Sequence, residues 1–151
     1  MANPTPEPAR GGPPKKLLVG CGAGCSLVML ALLVVLGMGL QKMKATTRFV
    51  TEFATAGAGG DLDKAYAQLG SEAQRANTAE QFKLKWMLTR TALGTLQKVE
   101  SGGSPRPDYK TGTYTVPVRL VGDKARIDLK VTVNPNDKPL KVLAFTLAQE
   151  P

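Results

Sequence analysis

The chain has 151 residues, 20 Lys+Arg against 12 Asp+Glu for a formal charge of +8, no histidine and two cysteines. Without histidine, and with both cysteines inside one apolar run, Ser/His/Asp and Cys/His catalysis and His-bearing zinc sites are excluded. The length sets the expectation of one small domain once any tail or anchor is set aside.

Residues 1–16 hold five prolines and almost nothing apolar, which predicts a disordered tail, because so little buried surface cannot offset the entropy of ordering. From Leu17 to Leu40 there are 24 consecutive uncharged residues. As a helix they reach roughly 36 Å, enough to span a bilayer core with some tilt. Lys15 and Lys16 precede this run as in a signal peptide, but the run is longer than the h-region of about 7 to 15 residues that such peptides carry, so an uncleaved signal anchor is the expectation. Leu18-Val19-Gly20-Cys21 resembles a lipobox that lacks the hydrophobic segment normally before the modified cysteine, so lipidation is not expected. Cys21 and Cys25 share a helix face. Gly20 and Gly24 form a small-xxx-small pattern that permits close helix approach and offers a homodimer contact.

Positive charge is balanced across the run, with Arg10, Lys15 and Lys16 before it and Lys42, Lys44 and Arg48 after it. A short basic N-terminus ahead of a first helix normally stays in the cytoplasm, which places the C-terminal domain outside it. The expected organisation is therefore a tail over 1–16, a transmembrane signal anchor over 17–40, a basic juxtamembrane linker over 41–48 and an α+β domain over 49–151.

Phe49, Val50, Phe53 and Ala54 give the first helical stripe of that domain. Asp61 is placed to cap a second helix carrying Leu62, Ala65, Tyr66 and Leu69, with Gly70 as its stop. Ser71-x-x-Gln74 and Thr78-x-x-Gln81 both match the capping box, and the second opens a helix through about Thr91 with Phe82 and Trp86 on one face. Gly94 closes the helical half. Leu96 and Val99 follow in a Thr/Val-bearing run, after which period-2 alternation marks strands at Tyr114 to Leu120, Ile127 to Val133 and Lys141 to Ala148, the last with Leu143, Phe145 and Leu147 on one side. Turns are expected at 122–124 and 134–137, and Pro117 suggests an edge or a bulge. The sum is an α+β fold with about three helices on a four-stranded antiparallel sheet.

The run Phe82-x3-Trp86, Leu93-Gly94, Val99, Gly112-x-Tyr114-x-Val116-x-Val118 and Val142-x3-Thr146 resembles the small extracytoplasmic domains of the nuclear-transport-factor-2-like (cystatin-like) superfamily over about residues 46–149. That resemblance implies a curved sheet wrapped on helices as a cystatin-like roll, sometimes with a pocket, and a bacterial envelope location behind a membrane or lipid anchor. It also raises an isomerase or dehydratase alternative, since some rolls of that superfamily use an Asp or His base beside a Tyr donor.

No carboxylate is placed to serve as that base: Asp128 has outward parity and Asp108 and Asp123 fall in connections, so no enzyme is expected. Asp61, Asp63 and Glu72 match three positions of an EF-hand loop, but Tyr66 stands where glycine is needed, so no metal or other cofactor is expected. Arg119, Arg126 and Lys130 form a mildly basic outward face without interleaved aromatics, which argues against nucleic acid; Arg119 and Asp128 are a candidate cross-strand pair. Tyr66, Trp86 and Tyr114 are inward aromatics with a polar atom and are the candidate lining of a ligand cavity, with core packing as the competing role. The expected function is a non-catalytic, membrane-anchored binding or protein-interaction module at the bacterial cytoplasmic membrane. Its expected partners are the bilayer through residues 17–40 and an envelope protein or small apolar ligand. A structural subunit of an envelope complex is a further alternative.

Overall fold

The computed structural model describes residues 17–149, with side chains from Leu27 to Ala148. The tail expected over 1–16 lies outside these residues, and so do the side chains around Gly20, Cys21, Gly24 and Cys25. The chain divides into two compact units between Gly39 and Leu40.

In the first unit, the described side chains from Leu27 onward are exposed and apolar. They belong to helix α1 (Leu17–Gly59), which is continuous through the basic residues 41–48. Near the N-terminus α1 contains a window of mean hydropathy 1.7 with none of it buried, long and apolar enough to cross a membrane, a property that signal sequences share.

The second unit is α+β. The last part of α1 is followed by α2 (Leu62–Ala67), α3 (Ser71–Ala76) and α4 (Ala79–Leu93). Five strands follow: β1 (Leu96–Ser101), β2 (Arg106–Asp108), β3 (Thr113–Gly122), β4 (Arg126–Val133) and β5 (Val142–Gln149). They form an open antiparallel sheet in the order β1-β3-β4-β5, with β2 pairing the same edge of β3 as β1. One more short helix and one more short strand are thus present than the periodicity predicts.

Local chemistry accounts for most element boundaries. Asp61 Oδ1 accepts from the Lys64 amide at 3.3 Å to start α2. Thr78 and Gln81 form the reciprocal box that starts α4. The expected box at Ser71 does not form. Gly70 takes the N-cap position because its amide donates to the Val142 carbonyl at 2.8 Å while the Val142 amide donates to Gln68, so β5 fixes the backbone there. Gln74 instead donates to the Tyr66 carbonyl.

At the other end of α4, Gly94 has φ +75°, and a Cβ there would collide with Asp123 Oδ1. That carboxylate accepts from the Thr95 amide at 2.7 Å, so the β3–β4 turn closes the helix C-terminus.

The sheet alternates as read. Val116, Val118 and Leu120 of β3 and Ile127, Leu129, Val131 and Val133 of β4 are buried against the helices. Two bulges shift the pattern elsewhere. The register skips Gln97, which lets Leu96 and Val99, three apart, both turn inward. It also skips Leu143, so the inward position expected for Leu143 belongs to fully buried Val142, followed by Phe145 and Leu147.

Pro117 is on neither an edge nor a bulge, since β3 is flanked on both sides. Its carbonyl accepts from Gly102, between the end of β1 at Ser101 and the start of β2 at Arg106, where the ladder is already broken and no amide is needed.

The core centres on Trp86, which has no exposed surface. Phe53, Phe82 and Phe145 surround it at ring-centroid distances of 6.0, 6.2 and 6.4 Å. Gly57 of α1 lies directly on the indole, because a Cβ at that position would stand 2.5 Å from Cζ2. Trp86→Ala should therefore cost about 3–5 kcal/mol. Gly57→Ala should cost about 1–3 kcal/mol by overpacking, both measured as urea unfolding of the full chain in detergent. A neutral Gly57→Ala would show that α1 does not seat the indole.

Candidate functional site

Of the three aromatics expected to line a cavity, Trp86 is wholly buried and Tyr66 and Tyr114 are half-buried. Tyr66 on α2 meets the Phe82 ring edge-on at 5.5 Å, and Phe82 meets Trp86, so these two share one aromatic cluster. Tyr114 sits on the inward side of β3 opposite Val133 and Pro107, and among the described residues it has no ring contact with Tyr66 or Trp86. None of the clefts described below is lined by any of the three. The Phe82 ring contacts both Tyr66 and Trp86 and lies between them.

The carboxylates hold structural positions. Asp128 on the outward face of β4 accepts from Arg119 Nε at 2.8 Å and from Nη2 at 3.3 Å, the cross-strand pair expected from their parity. Asp108 accepts from the Lys110 amide at 2.9 Å, and Glu100 pairs with Lys98 at 2.5 Å. The Arg119 guanidinium holds Asp128 below the usual carboxylate range, the Lys110 amide does the same for Asp108, and Lys98 does so for Glu100. All three shifts favour the ionised form, opposite to what a general base poised near neutrality needs. Among the described residues no group of three His, Cys, Asp or Glu could hold a metal ion.

Surface features remain. On the outward sheet face, the loop 102–105 and β2 frame a cleft of about 380 Å³ over Pro117, with Arg106, Asp128 and Lys130 at its walls. A larger one, about 580 Å³, runs between Pro105 and the α1 residues from Leu40 to Glu52.

An exposed apolar row of the second unit is on α4. Leu84, Met87 and Leu88 are 57 %, 57 % and 64 % exposed and recur at i, i+3 and i+4 on the side of the helix opposite Phe82, Trp86 and Leu93. Lys83 and Arg90 lie on one flank of this stripe and Lys85 on the other. Lys83 is engaged by Asp63 at 2.8 Å, and Lys85 reaches Asn77 at 2.5 Å and stands 5.9 Å from the Phe145 ring centroid. The second spacing at Leu84-x2-Met87-Leu88 was the signal in the sequence for this stripe, and the stronger inward stripe on the same helix masks it.

No protein-family model matches the chain, and neither a curated protein nor a solved structure matches it.

Because Arg119 lowers the pKa of Asp128, the pair stabilises the fold above the unfolded carboxylate value of about 4 and loses that contribution as pH falls through the lower folded value. Both side chains are about a third exposed, which limits the coupling to about 1 kcal/mol or less. A double-mutant cycle of Arg119→Ala and Asp128→Asn should give that coupling at pH 7 and none in acid below the folded pKa. A coupling that persists in acid contradicts the ionic origin.

Proposed function

We propose that this chain is a single-pass membrane protein whose C-terminal domain is a non-catalytic protein-interaction module on the outer side of a bacterial cytoplasmic membrane, held there by the apolar part of α1. The observation that carries the interaction reading is the Leu84/Met87/Leu88 stripe. A domain that seals Trp86, Phe82 and Leu93 from water leaves three large apolar side chains of the same helix exposed in one row. Such rows mark surfaces that a partner covers.

The membrane reading is supported by an unburied apolar window in α1 with basic residues on both sides of the uncharged run. Helices packed on one face of an antiparallel sheet support the likeness to the nuclear-transport-factor-2-like superfamily, which concerns shape and assigns no ligand. A permanent envelope complex, with this chain as a structural subunit, is the same reading with a partner that does not leave.

A photo-reactive side chain at Leu88, with Thr146 on the outward face of β5 as the control position, tests the reading in intact spheroplasts. The expected result is a discrete cross-linked species from position 88 and none from 146, with the domain digested by external protease while a cytoplasmic control protein survives. Equal labelling from both positions overturns the α4 interface. Protection of a domain that becomes cleavable only on lysis overturns the outward placement.

A further inference from the structure

The cleft of about 580 Å³ beside Pro105 has an organisation that neither the core nor the α4 stripe explains. Its floor is one face of α1, with Met43, Thr47 and Thr51 at i, i+4 and i+8 and Leu40 one turn before. The threonine hydroxyls do not face it as free donors. Thr47 Oγ1 donates to the Met43 carbonyl at 2.9 Å and Thr51 Oγ1 to the Thr47 carbonyl at 2.9 Å, so both side chains spend their polarity inside the helix and leave the floor apolar. Pro105, the one half-buried residue of its loop, forms the facing wall.

Along the neighbouring stripe run Lys44, Arg48 and Glu52, again four apart. Arg48 Nε is paired with Glu52 at 3.1 Å, whereas Lys44 has no carboxylate partner among the described residues. The rim is therefore cationic at its Lys44 end and neutralised at its far end. Lys44 is also four residues beyond Leu40, where the uncharged run ends. Four helical residues rise about 6 Å, about the depth of the headgroup layer outside a bilayer's hydrocarbon core.

We infer that this cleft is a binding site for an anionic phospholipid of the surrounding bilayer, with the phosphate at Lys44, the glycerol region on its membrane side over Leu40 and Met43, and Pro105 on the facing wall. An apolar floor beside a cation without a partner suits an amphiphile with a charged head, and each cation near such a surface contributes about a fivefold change in lipid affinity. The inference rests on the membrane reading of α1 and adds lipid selectivity to it. The Arg48–Glu52 pair ranks the residues. Lys44→Gln should reduce binding by about fivefold, Arg48→Gln by less, and Glu52→Gln should increase it, because Arg48 is then released to the phosphate.

The test uses the full chain in zwitterionic detergent, with retained phosphatidylglycerol and phosphatidylcholine counted by native mass spectrometry. Lys124→Gln in the distant β3–β4 turn serves as the charge control, and the near-ultraviolet dichroism of Trp86 as the check on folding. Preferential retention of phosphatidylglycerol, ordered Glu52→Gln above wild type, then Arg48→Gln, then Lys44→Gln, with recovery in Lys44→Arg, is the expected result. Equal retention of the two lipids overturns the site, as does a loss in Lys124→Gln as large as that in Lys44→Gln. A separate extraction of membranes with carbonate reports on the anchor itself. A chain that stays in the membrane and yet shows no preference overturns the lipid site alone, and a chain released by carbonate overturns the membrane reading beneath it.

Discussion

The seating of Trp86 on Gly57 is the constraint from which the rest of the second unit follows. A glycine at that point lets two helix backbones approach with an indole between them, and no other residue leaves room for the ring. Once the indole is fixed, Phe53 from α1, Phe82 from its own helix and Phe145 from β5 close around it, so a single side chain joins α4 to two other elements. The contacts advance together along the chain, Phe53 with Phe82 and Trp86, Gly57 with Trp86 and Gly60 with Arg90. The two helices therefore run in the same general direction, and the short helices α2 and α3 make the return between them.

That arrangement also decides what the sheet can present. With α1 and α4 on its inner face, the inner positions of β3 and β4 are aliphatic apart from Tyr114, and the polar side-chain pairs between those strands lie outward: Thr115 against Thr132, and Arg119 against Asp128. The ends of α4 are tied separately, by Thr78 with Gln81 at one end and by the Asp123 turn at the other. The helix that carries the exposed apolar stripe is thus held at both termini and along its inner face. A stripe held in that way meets a partner without paying further to order its own backbone.

Elements with a strong period were legible from residues alone, and those set by a partner strand were not. β3 and β4 alternate cleanly because each has one wet face, and Thr78 and Gln81 cap as their spacing indicates since nothing else competes for them. β2 is three residues with a proline in the middle, too short to carry any period, and exists because β3 extends past the end of β1. The inward position of Val142 depends on a bulge that only the register with β4 creates, and the failed box at Ser71 depends on hydrogen bonds to that same segment of β5. For the candidate site, the inward parity of Tyr66, Trp86 and Tyr114 was readable, but whether a phenylalanine ring lies between Tyr66 and Trp86 is a matter of three-dimensional packing. Asp123 looked like a turn residue, and its bond to the Thr95 amide spans 28 positions of sequence.

Trp86 is also the chain's only tryptophan, and its ring nitrogen has no acceptor among the described residues. Its surroundings are aromatic rings and the backbone of Gly57, and the indole has no surface open to water. The intact domain thus carries its own optical label, emitting at short wavelength while α1 and α4 remain together and shifting to the red when water reaches the ring. With one emitter in the whole sequence, that colour reports on a single contact, and a vesicle, a detergent or a bound partner can be added without a second tryptophan of this chain confusing the signal.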